Sequence, residues 1–266
     1  MKRLFFSFVL LLSSLCGSPS SSFINDDLKQ LLKVMEVPNN GTLPSIVEAT
    51  QKTWKRPAGK EIWHIENNLS ETQAKAVMEY CSKNRFFTEI MPTKKTYDYA
   101  VILGATVATM KKRIDFLEKI AQSGVQFKQV VLLSGARPLD LKIKIAPDGC
   151  QTEGEALAYI WNAHPLSKQV PWAHFDCPMV TILGVQVTRP NTVDTYNLWL
   201  ASKPKPGSCF MLSNQPYCLY QQLVAEAIMP KVFMHETVGP ASDPAKANPA
   251  VMLDTIARCL YTLGQK

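Results

Sequence analysis

The sequence predicts an α/β protein in which a doubly wound, mostly parallel β-sheet follows a helical N-terminal region. Short apolar segments alternate with amphipathic segments from about residue 96 to the C-terminus, as in a parallel sheet with helices on both faces. Several apolar segments stop abruptly at Gly, Ser or Asn, as buried strands do when they enter a turn. The chain has 266 residues, of which 46% are hydrophobic and 19% charged, so it can form one such domain with an appendage.

Residues 1–22 have the organisation of a signal peptide for export. A Lys-Arg pair follows the first Met, residues 4–12 are apolar, and small residues come next. The apolar segment is shorter than the roughly 20 residues of a membrane-spanning helix. Cys16 offers the alternative of a lipoprotein attached to the membrane through an acylated cysteine, although Leu15 is not the small residue that usually precedes it. We therefore expect export to the periplasm or cell envelope, by plain secretion or with a lipid anchor at Cys16.

Residues 23–95 are predicted to form a helical region ahead of the sheet. Leu28 is followed by leucines three and four positions later, which is the spacing of one helix face. Ser70 is a predicted N-cap with Gln73 at the third helical position, as in a capping box. Turn segments rich in Pro, Asn and Gly separate these helices. We expect the region to pack on the main domain.

Residues 96–266 are predicted to form a Rossmann-like domain. Its first unit is a strand over residues 97–103, a helix ending at Gly124 and a strand over residues 129–133, which together make a right-handed parallel crossover. Further strands are predicted at residues 179–184, 209–213 and 231–235, and further helices at residues 153–161, 191–200, 215–228 and 251–263.

The charge pattern does not require a nucleic-acid partner. The formal net charge of +7 falls to +5 if Lys2 and Arg3 are removed with the export signal. Acidic and basic residues are interspersed, and the longest basic run is Lys111-Lys112-Arg113. No nucleic-acid partner is therefore expected.

The cysteines leave two alternatives open. Six would remain after removal of the export signal: Cys81, Cys150, Cys177, Cys209, Cys218 and Cys259. An even number in an exported chain permits one or two disulfides, and buried unpaired thiols are the alternative. Since no pair has C-x-x-C spacing and no His is grouped with them, no metal site is predicted.

Small polar residues follow several predicted strands and begin one predicted helix. Parallel strands bring their carboxyl ends to one edge of a sheet, where backbone amides and helix N-termini suit a phosphate, a carboxylate or a nucleoside-like ligand. Each of these residue types is common in turns, so a single one does not indicate a site. Only their repetition after several predicted strands does. The predicted ligand-binding residues are Gly104, Thr106, Ser134, Gly135, Asn191, Thr192, Ser213 and Asn214, with Arg113 and Glu155 as candidates to pair with the ligand or orient it.

Familiar catalytic motifs do not match the chain. Gly104 lacks the further glycines of a dinucleotide fingerprint, and there is no P-loop, no G-x-S-x-G and no H-E-x-x-H. Glu153 and Glu155 are two positions apart and are expected to point to different sides of a helix, which argues against a pair of catalytic carboxylates. His235 is either a base at a strand end or an ordinary core or surface histidine. No catalytic residue is assigned.

The order of these motifs resembles a known family. The relevant residues are Asp98-x-x-Val101-x-Leu103-Gly104, Arg113, Leu133-Ser134-Gly135, Glu155-Ala156 and Asn191-Thr192-x-Asp194. This order is similar to that of the YdcF/SanA/ElyC-like family of bacterial Rossmann-like proteins over about residues 96–240. The resemblance implies a role in the cell envelope or in cell-wall biogenesis, with a small molecule or cell-wall precursor as ligand. Through the YdcF branch it implies S-adenosylmethionine as a cofactor.

The chain departs from the family pattern at three positions. Thr195 stands where the family often has Asn, and Tyr217 and Tyr220 stand near the places of a family His and Arg. Loss of that cation weakens the case for a phosphate-bearing ligand. Two alternatives to a ligand-binding envelope protein follow. One is a non-catalytic binding or scaffolding protein with a degenerate site, and the other is a transferase or hydrolase that uses Ser134 or Ser213 with an unidentified base.

Overall fold

The structure is a computed structural model that describes residues 23–57, 60, 62–139, 149–182, 185–188 and 190–265. The predicted export signal and Cys16 lie outside these residues. Within the described ranges, no helix has both the length and the apolar character needed to cross a membrane.

The described residues confirm the α/β fold class. The strands are β1 (Thr96–Leu103), β2 (Gln126–Gly135), β3 (Trp172–Cys177), β4 (Val180–Ile182), β5 (Val185–Thr188), β6 (Ser208–Leu212) and β7 (Met234–Val238). The α-helices are α1 (Asp26–Val34), α2 (Leu43–Thr53), α3 (Glu71–Lys83), α4 (Val107–Gln122), α5 (Glu153–Ala163), α6 (Thr192–Ala201), α7 (Cys218–Ile228) and α8 (Pro249–Gly264).

Five strands form one parallel sheet in the order β3-β2-β1-β6-β7. The chain winds outward from β1 in one direction through β2 and β3, then returns to the other side of β1 through β6 and β7. The point between β1 and β6 is therefore the topological switch point, where ligands bind in sheets of this type. Strands β4 and β5 form a separate antiparallel pair.

Alternation of side chains along the central strands gives the sheet two apolar layers. Ala100 and Ile102 of β1 pack into one core with the buried faces of α4 and α5. Val101 and Leu103 pack into the opposite core with Trp199 of α6. Both faces of β1 are thus covered by helices, which explains its unbroken apolar sequence.

The N-terminal helices share a third core with α8. Leu28, Ile46 and Val77 of α1, α2 and α3 lie in one buried cluster with Ile256 and Leu260 of α8. The capping box predicted at Ser70 and Gln73 is present. This packing brings the segment after α2 next to the first turns of α8.

Three predicted elements differ from the structure. The segment 179–184 does not supply a strand of the main sheet: Val180–Ile182 belongs to the antiparallel pair, and Leu183 and Gly184 lie outside the described residues. The third sheet strand is Trp172–Cys177, which has no apolar run because it is a partly exposed edge strand that pairs only with β2. The last strand begins at Met234 rather than Lys231, and α7 begins at Cys218 rather than Gln215.

The described cysteines are all free thiols. Four of them, Cys81, Cys209, Cys218 and Cys259, are buried, and burial raises the pKa of each thiol. They behave as small apolar core residues.

Candidate functional site

A cavity of about 430 Å³ opens beside the carboxyl ends of β1, β2 and β6, next to the switch point, and we refer to it as the switch-point cavity. Its volume lies within the range of about 300–1,000 Å³ that is usual for small-molecule sites. The predicted residues that line it are Gly104, Thr106, Arg113, Ser134, Gly135, Asn191, Thr192 and Asn214. The structure therefore brings most of the predicted site residues together.

Two predicted residues lie elsewhere. Ser213 is fully buried behind the end of β6 and does not line the cavity. Glu155 is exposed and completes a capping box with Thr152, and its carboxylate accepts hydrogen bonds from the backbone amides of Gln151 and Thr152 at 2.6 and 3.1 Å. Its role at the start of α5 is thus helix capping. His235 lies near the amino end of β7, away from the carboxyl edge of the sheet.

Close backbone packing explains the two glycines. A Cβ at Gly104 would be 3.0 Å from the Cα of Ser134, and a Cβ at Gly135 would be 2.5 Å from the Cγ of Pro190. The ends of β1 and β2 can approach each other, and the segment entering α6 can cross β2, only because these side chains are absent.

Helix N-termini border the cavity. Asn191 caps α6: its side-chain oxygen accepts a hydrogen bond from the amide of Val193 at 2.8 Å and so is already used by the helix. Thr106 precedes α4 but makes no side-chain capping bond, and its hydroxyl lies 2.9 Å from that of Thr109. The first amides of α4 are therefore not satisfied by a side-chain cap, and such amides are suited to bind an anion.

Arg113 is a buried cation in the wall of the cavity, with only 5% of its surface exposed. It donates hydrogen bonds to the carbonyl oxygens of Leu103 and Gly104, and its Nε and Nη2 donate to Asn214 Oδ1 at 3.2 and 2.6 Å. All of these acceptors are neutral. Burial lowers the pKa of Arg113 to about 10, so the guanidinium remains charged at neutral pH.

Glu153 is an acidic residue in the lining of the cavity, and it is not among the residues predicted for the site. It lies mostly buried in the first turn of α5, near Arg137 and Arg113. Burial raises its pKa to about 7, although the two arginines oppose this change. The capping-box pattern Thr152-x-x-Glu155 indicates that the Glu155 carboxylate accepts hydrogen bonds from backbone amides at the start of the helix.

Ser134 belongs to a polar cluster with two residues of β3. Its Oγ is 2.8 Å from His174 Nε2 and donates a hydrogen bond to Asp176 Oδ1 at 2.9 Å. Ser134 is 1% exposed, and burial lowers the pKa of His174. The Asp176 carboxylate lies against Gly154, where a Cβ would be 2.2 Å from Oδ1. The sequence does not indicate His174 as a base, because the strand that carries it has no apolar run.

A second charged group comes from elements outside the sheet. Asp254 of α8, which is 1% exposed, accepts a hydrogen bond from Arg258 Nε at 2.9 Å and from the backbone amide of Arg56 at 2.9 Å. The Arg56 guanidinium is 3.4 Å from the same carboxylate. Tyr217 and Tyr220 line the cavity beside these arginines. Arg56, from the segment after α2, and Arg258 of α8 thus place positive charge beside these tyrosines.

The described lining of the cavity contains four arginines, Arg56, Arg113, Arg137 and Arg258, and two carboxylic acids, Glu153 and Asp254. This is a formal excess of two positive charges. Among the described residues, no group of three or more His, Cys, Asp or Glu is arranged to hold a metal ion. The chemistry that the lining favours is the binding of an anion through guanidinium groups and backbone amides.

Comparison with known proteins does not assign the chain to a family. A scan against family models and a search of curated proteins both returned no match. The resemblance to the YdcF/SanA/ElyC-like family stays a prediction from the motifs.

Proposed function

We propose that the protein binds a small anionic ligand, bearing a phosphate or a carboxylate, in the switch-point cavity. One observation carries the proposal: Arg113 is a charged, buried side chain in the cavity wall, and all the acceptors that the described residues offer it are neutral. A buried cation is costly unless a counter-charge is near. The nearby carboxyl group of Glu153 has a pKa of about 7, so it is only partly ionised at neutral pH, and a bound anion supplies the remaining counter-charge.

The surroundings of Arg113 support the same ligand class. Arg137 is held at the cavity by Pro190, whose carbonyl oxygen accepts a hydrogen bond from Arg137 Nε at 2.7 Å. The first turn of α4 adds backbone amides without a side-chain cap. Guanidinium groups and helix amides together are the usual receptors for phosphate.

The biological setting is proposed from the sequence. The predicted export signal and the family resemblance favour a protein of the periplasm or cell envelope, with a cell-wall precursor as the natural ligand and a role in cell-wall biogenesis. S-adenosylmethionine, the cofactor suggested by the YdcF branch, offers a carboxylate to the arginines but also carries a sulfonium cation. It is therefore a less favourable partner for this cavity than a phosphate.

A transferase or hydrolase is the second candidate, because Ser134 Oγ lies 2.8 Å from His174 Nε2, within reach for proton transfer. Two features favour ligand binding over this alternative: the hydroxyl donates to Asp176, and Ser134 is 1% exposed. An enzyme of this kind should hydrolyse p-nitrophenyl acetate or p-nitrophenyl phosphate, and Ser134→Ala should abolish the turnover while leaving the fold intact.

Calorimetric titration and thermal unfolding of the full chain test the proposal with orthophosphate, sulfate and S-adenosylmethionine. We expect orthophosphate to bind, and at 100 times its dissociation constant to raise the free energy of unfolding by about 2.7 kcal/mol. Arg137→Gln should weaken binding about tenfold or more, which is the loss of one charge-assisted contact.

The matched control is Lys205→Gln, which removes one positive charge from an exposed turn before β6, at the opposite edge of the sheet. It should leave orthophosphate affinity unchanged. If the folded wild-type chain binds none of the anions, or if both variants weaken binding equally, the cavity is not the anion site.

A further inference from the structure

We propose that the ligand of the switch-point cavity carries two neighbouring anionic groups, as a diphosphate does, and that Arg56 and Arg258 bind the second group. This inference rests on the proposed function. We call Arg56 and Arg258 the outer arginines, and Arg113 and Arg137 the inner arginines.

The two pairs belong to different parts of the molecule. The inner arginines are held by the ends of β1 and β6 and by Pro190. The outer arginines come from the segment after α2 and from α8, and both are held by Asp254. All four nevertheless line one cavity, so a single ligand can contact both pairs.

The outer arginines retain positive charge toward the cavity. One carboxylate, Asp254, faces two guanidinium groups, so one positive charge is left over. Burial lowers the pKa of Arg56, and the neighbouring Arg258 lowers it further. The side chains of Arg56 and Arg258 are 22% and 24% exposed, respectively, and both line the cavity, whereas the side chain of Asp254 is 1% exposed. A second anionic group placed there relieves the repulsion between the two cations.

Tyr217 lines the same cavity as both arginine pairs. Burial raises its pKa to about 12, whereas arginines of both pairs lower it, because its hydroxyl lies within electrostatic range of Arg113 as well as of Arg56 and Arg258. The neutral phenol can donate a hydrogen bond to an oxygen that bridges two phosphoryl groups. The cavity lining thus offers four guanidinium groups and a phenol, which is more than a single phosphate needs and suits a diphosphate.

The alternative is that Asp254 and its two arginines form a purely structural ion-pair cluster that attaches the N-terminal helices to α8. The two roles make different predictions. Substitutions in a structural cluster change the stability but leave the ratio of the affinities for a diphosphate and a monophosphate unchanged. Substitutions in a binding group change that ratio. If the cluster binds the ligand, the N-terminal helical region contributes to the site directly, because Arg56 follows α2.

Titration of the full chain with inorganic pyrophosphate and with orthophosphate, at matched ionic strength, separates these roles. We expect pyrophosphate to bind at least about tenfold more tightly than orthophosphate. Arg56→Gln should remove that preference and change orthophosphate affinity less than about twofold. Lys55→Gln is the charge-matched control: Lys55 is exposed, lies over the ring of Tyr261 rather than in the cavity, and should leave both affinities unchanged.

Arg56→Lys provides a second variant that keeps the charge if the Gln variant does not fold. Since Lys lacks the planar fork of Arg, it should retain only part of the preference for pyrophosphate. Equal affinities for the two anions in the wild type, or equal losses for both in the Arg56 variants, would overturn the inference while leaving the proposed function intact. Failure of the wild type to bind either anion would instead overturn the proposed function.

Discussion

At the residue scale, the environment of each side chain determines its role more than its type does. Glu153 and Glu155 are two positions apart on one helix, yet one carboxyl group is mostly buried at the cavity and the other is exposed as part of a helix cap. Burial raises the pKa of Glu153 to about 7, so its charge changes within the physiological range. The cavity is therefore more positive in mild acid than in mild base.

Glu153→Gln is expected to remove a pH dependence of stability. The folded-state pKa of about 7 lies above the ordinary value of 4.5, so the folded protein holds this proton more tightly than the unfolded chain. The contribution of Glu153 to stability is complete below about pH 4.5 and is lost as the pH rises through 7. The free energy of unfolding of the wild type should therefore fall relative to that of Glu153→Gln between pH 5 and pH 8, as measured by urea denaturation.

The same substitution tests the electrostatics of binding. Sulfate keeps its charge over this pH range, so its affinity for the wild type should decrease as Glu153 ionises and should stay more nearly constant in Glu153→Gln. Glu155→Gln serves as the control on the same helix. A wild-type sulfate affinity that does not change between pH 6 and pH 8 would contradict the placement of Glu153 at the anion site.

Gly154→Ala is expected to destabilise the protein, although Ala is normally the better helix residue by about 1 kcal/mol. A Cβ at this position would overlap the Asp176 carboxylate at 2.2 Å, and displacing that group also breaks its hydrogen bond with Ser134. We expect a loss of about 1–3 kcal/mol in the free energy of unfolding.

The Asp176→Ala background provides the matched test of that clash. In that background the Asp176 carboxylate is absent, so adding Gly154→Ala should leave the free energy of unfolding unchanged or raise it. Equal effects of Gly154→Ala in both backgrounds, determined by denaturant titration, would show that Asp176 is not the neighbour that requires a glycine.

At the element scale, the central strands were predictable and the edge strand β3 was not. Residues in β1 and β2 are covered on both faces, and this burial produces the apolar runs that mark them in the sequence. β3 is partly exposed and carries His174 and Asp176, so its sequence lacks a comparable run. The helix caps at Ser70 and Asn191 were predictable because capping depends on local side-chain chemistry.

Leu260→Ala tests whether the N-terminal helices and α8 form one core. Leu260 is fully buried in the cluster that joins them, so we expect a loss of about 2–5 kcal/mol. The neighbouring Tyr261 is 43% exposed, and Tyr261→Ala should cost clearly less. The loss should appear in a single unfolding transition followed by circular dichroism. A separate early transition would indicate that the N-terminal helices unfold independently of the sheet.

At the scale of the whole molecule, the cavity is assembled from parts that are far apart in the sequence. The strand-end residues were predictable because parallel topology brings carboxyl ends to one edge. Arg56, Arg258 and Asp254 were not, because they reach the cavity through packing of the N-terminal helices against α8. A local motif does not carry that information, since it depends on which apolar faces meet.

The location of a bound anion is the most direct test of the proposed anion site. Anomalous diffraction from crystals of the full chain containing selenate, a strong scatterer with the shape and charge of sulfate, would locate each site independently of affinity. We expect a peak in the switch-point cavity, within hydrogen-bond distance of the guanidinium group of Arg113 or Arg137. Selenate peaks confined to surface lysines, with no peak in this cavity, would contradict it.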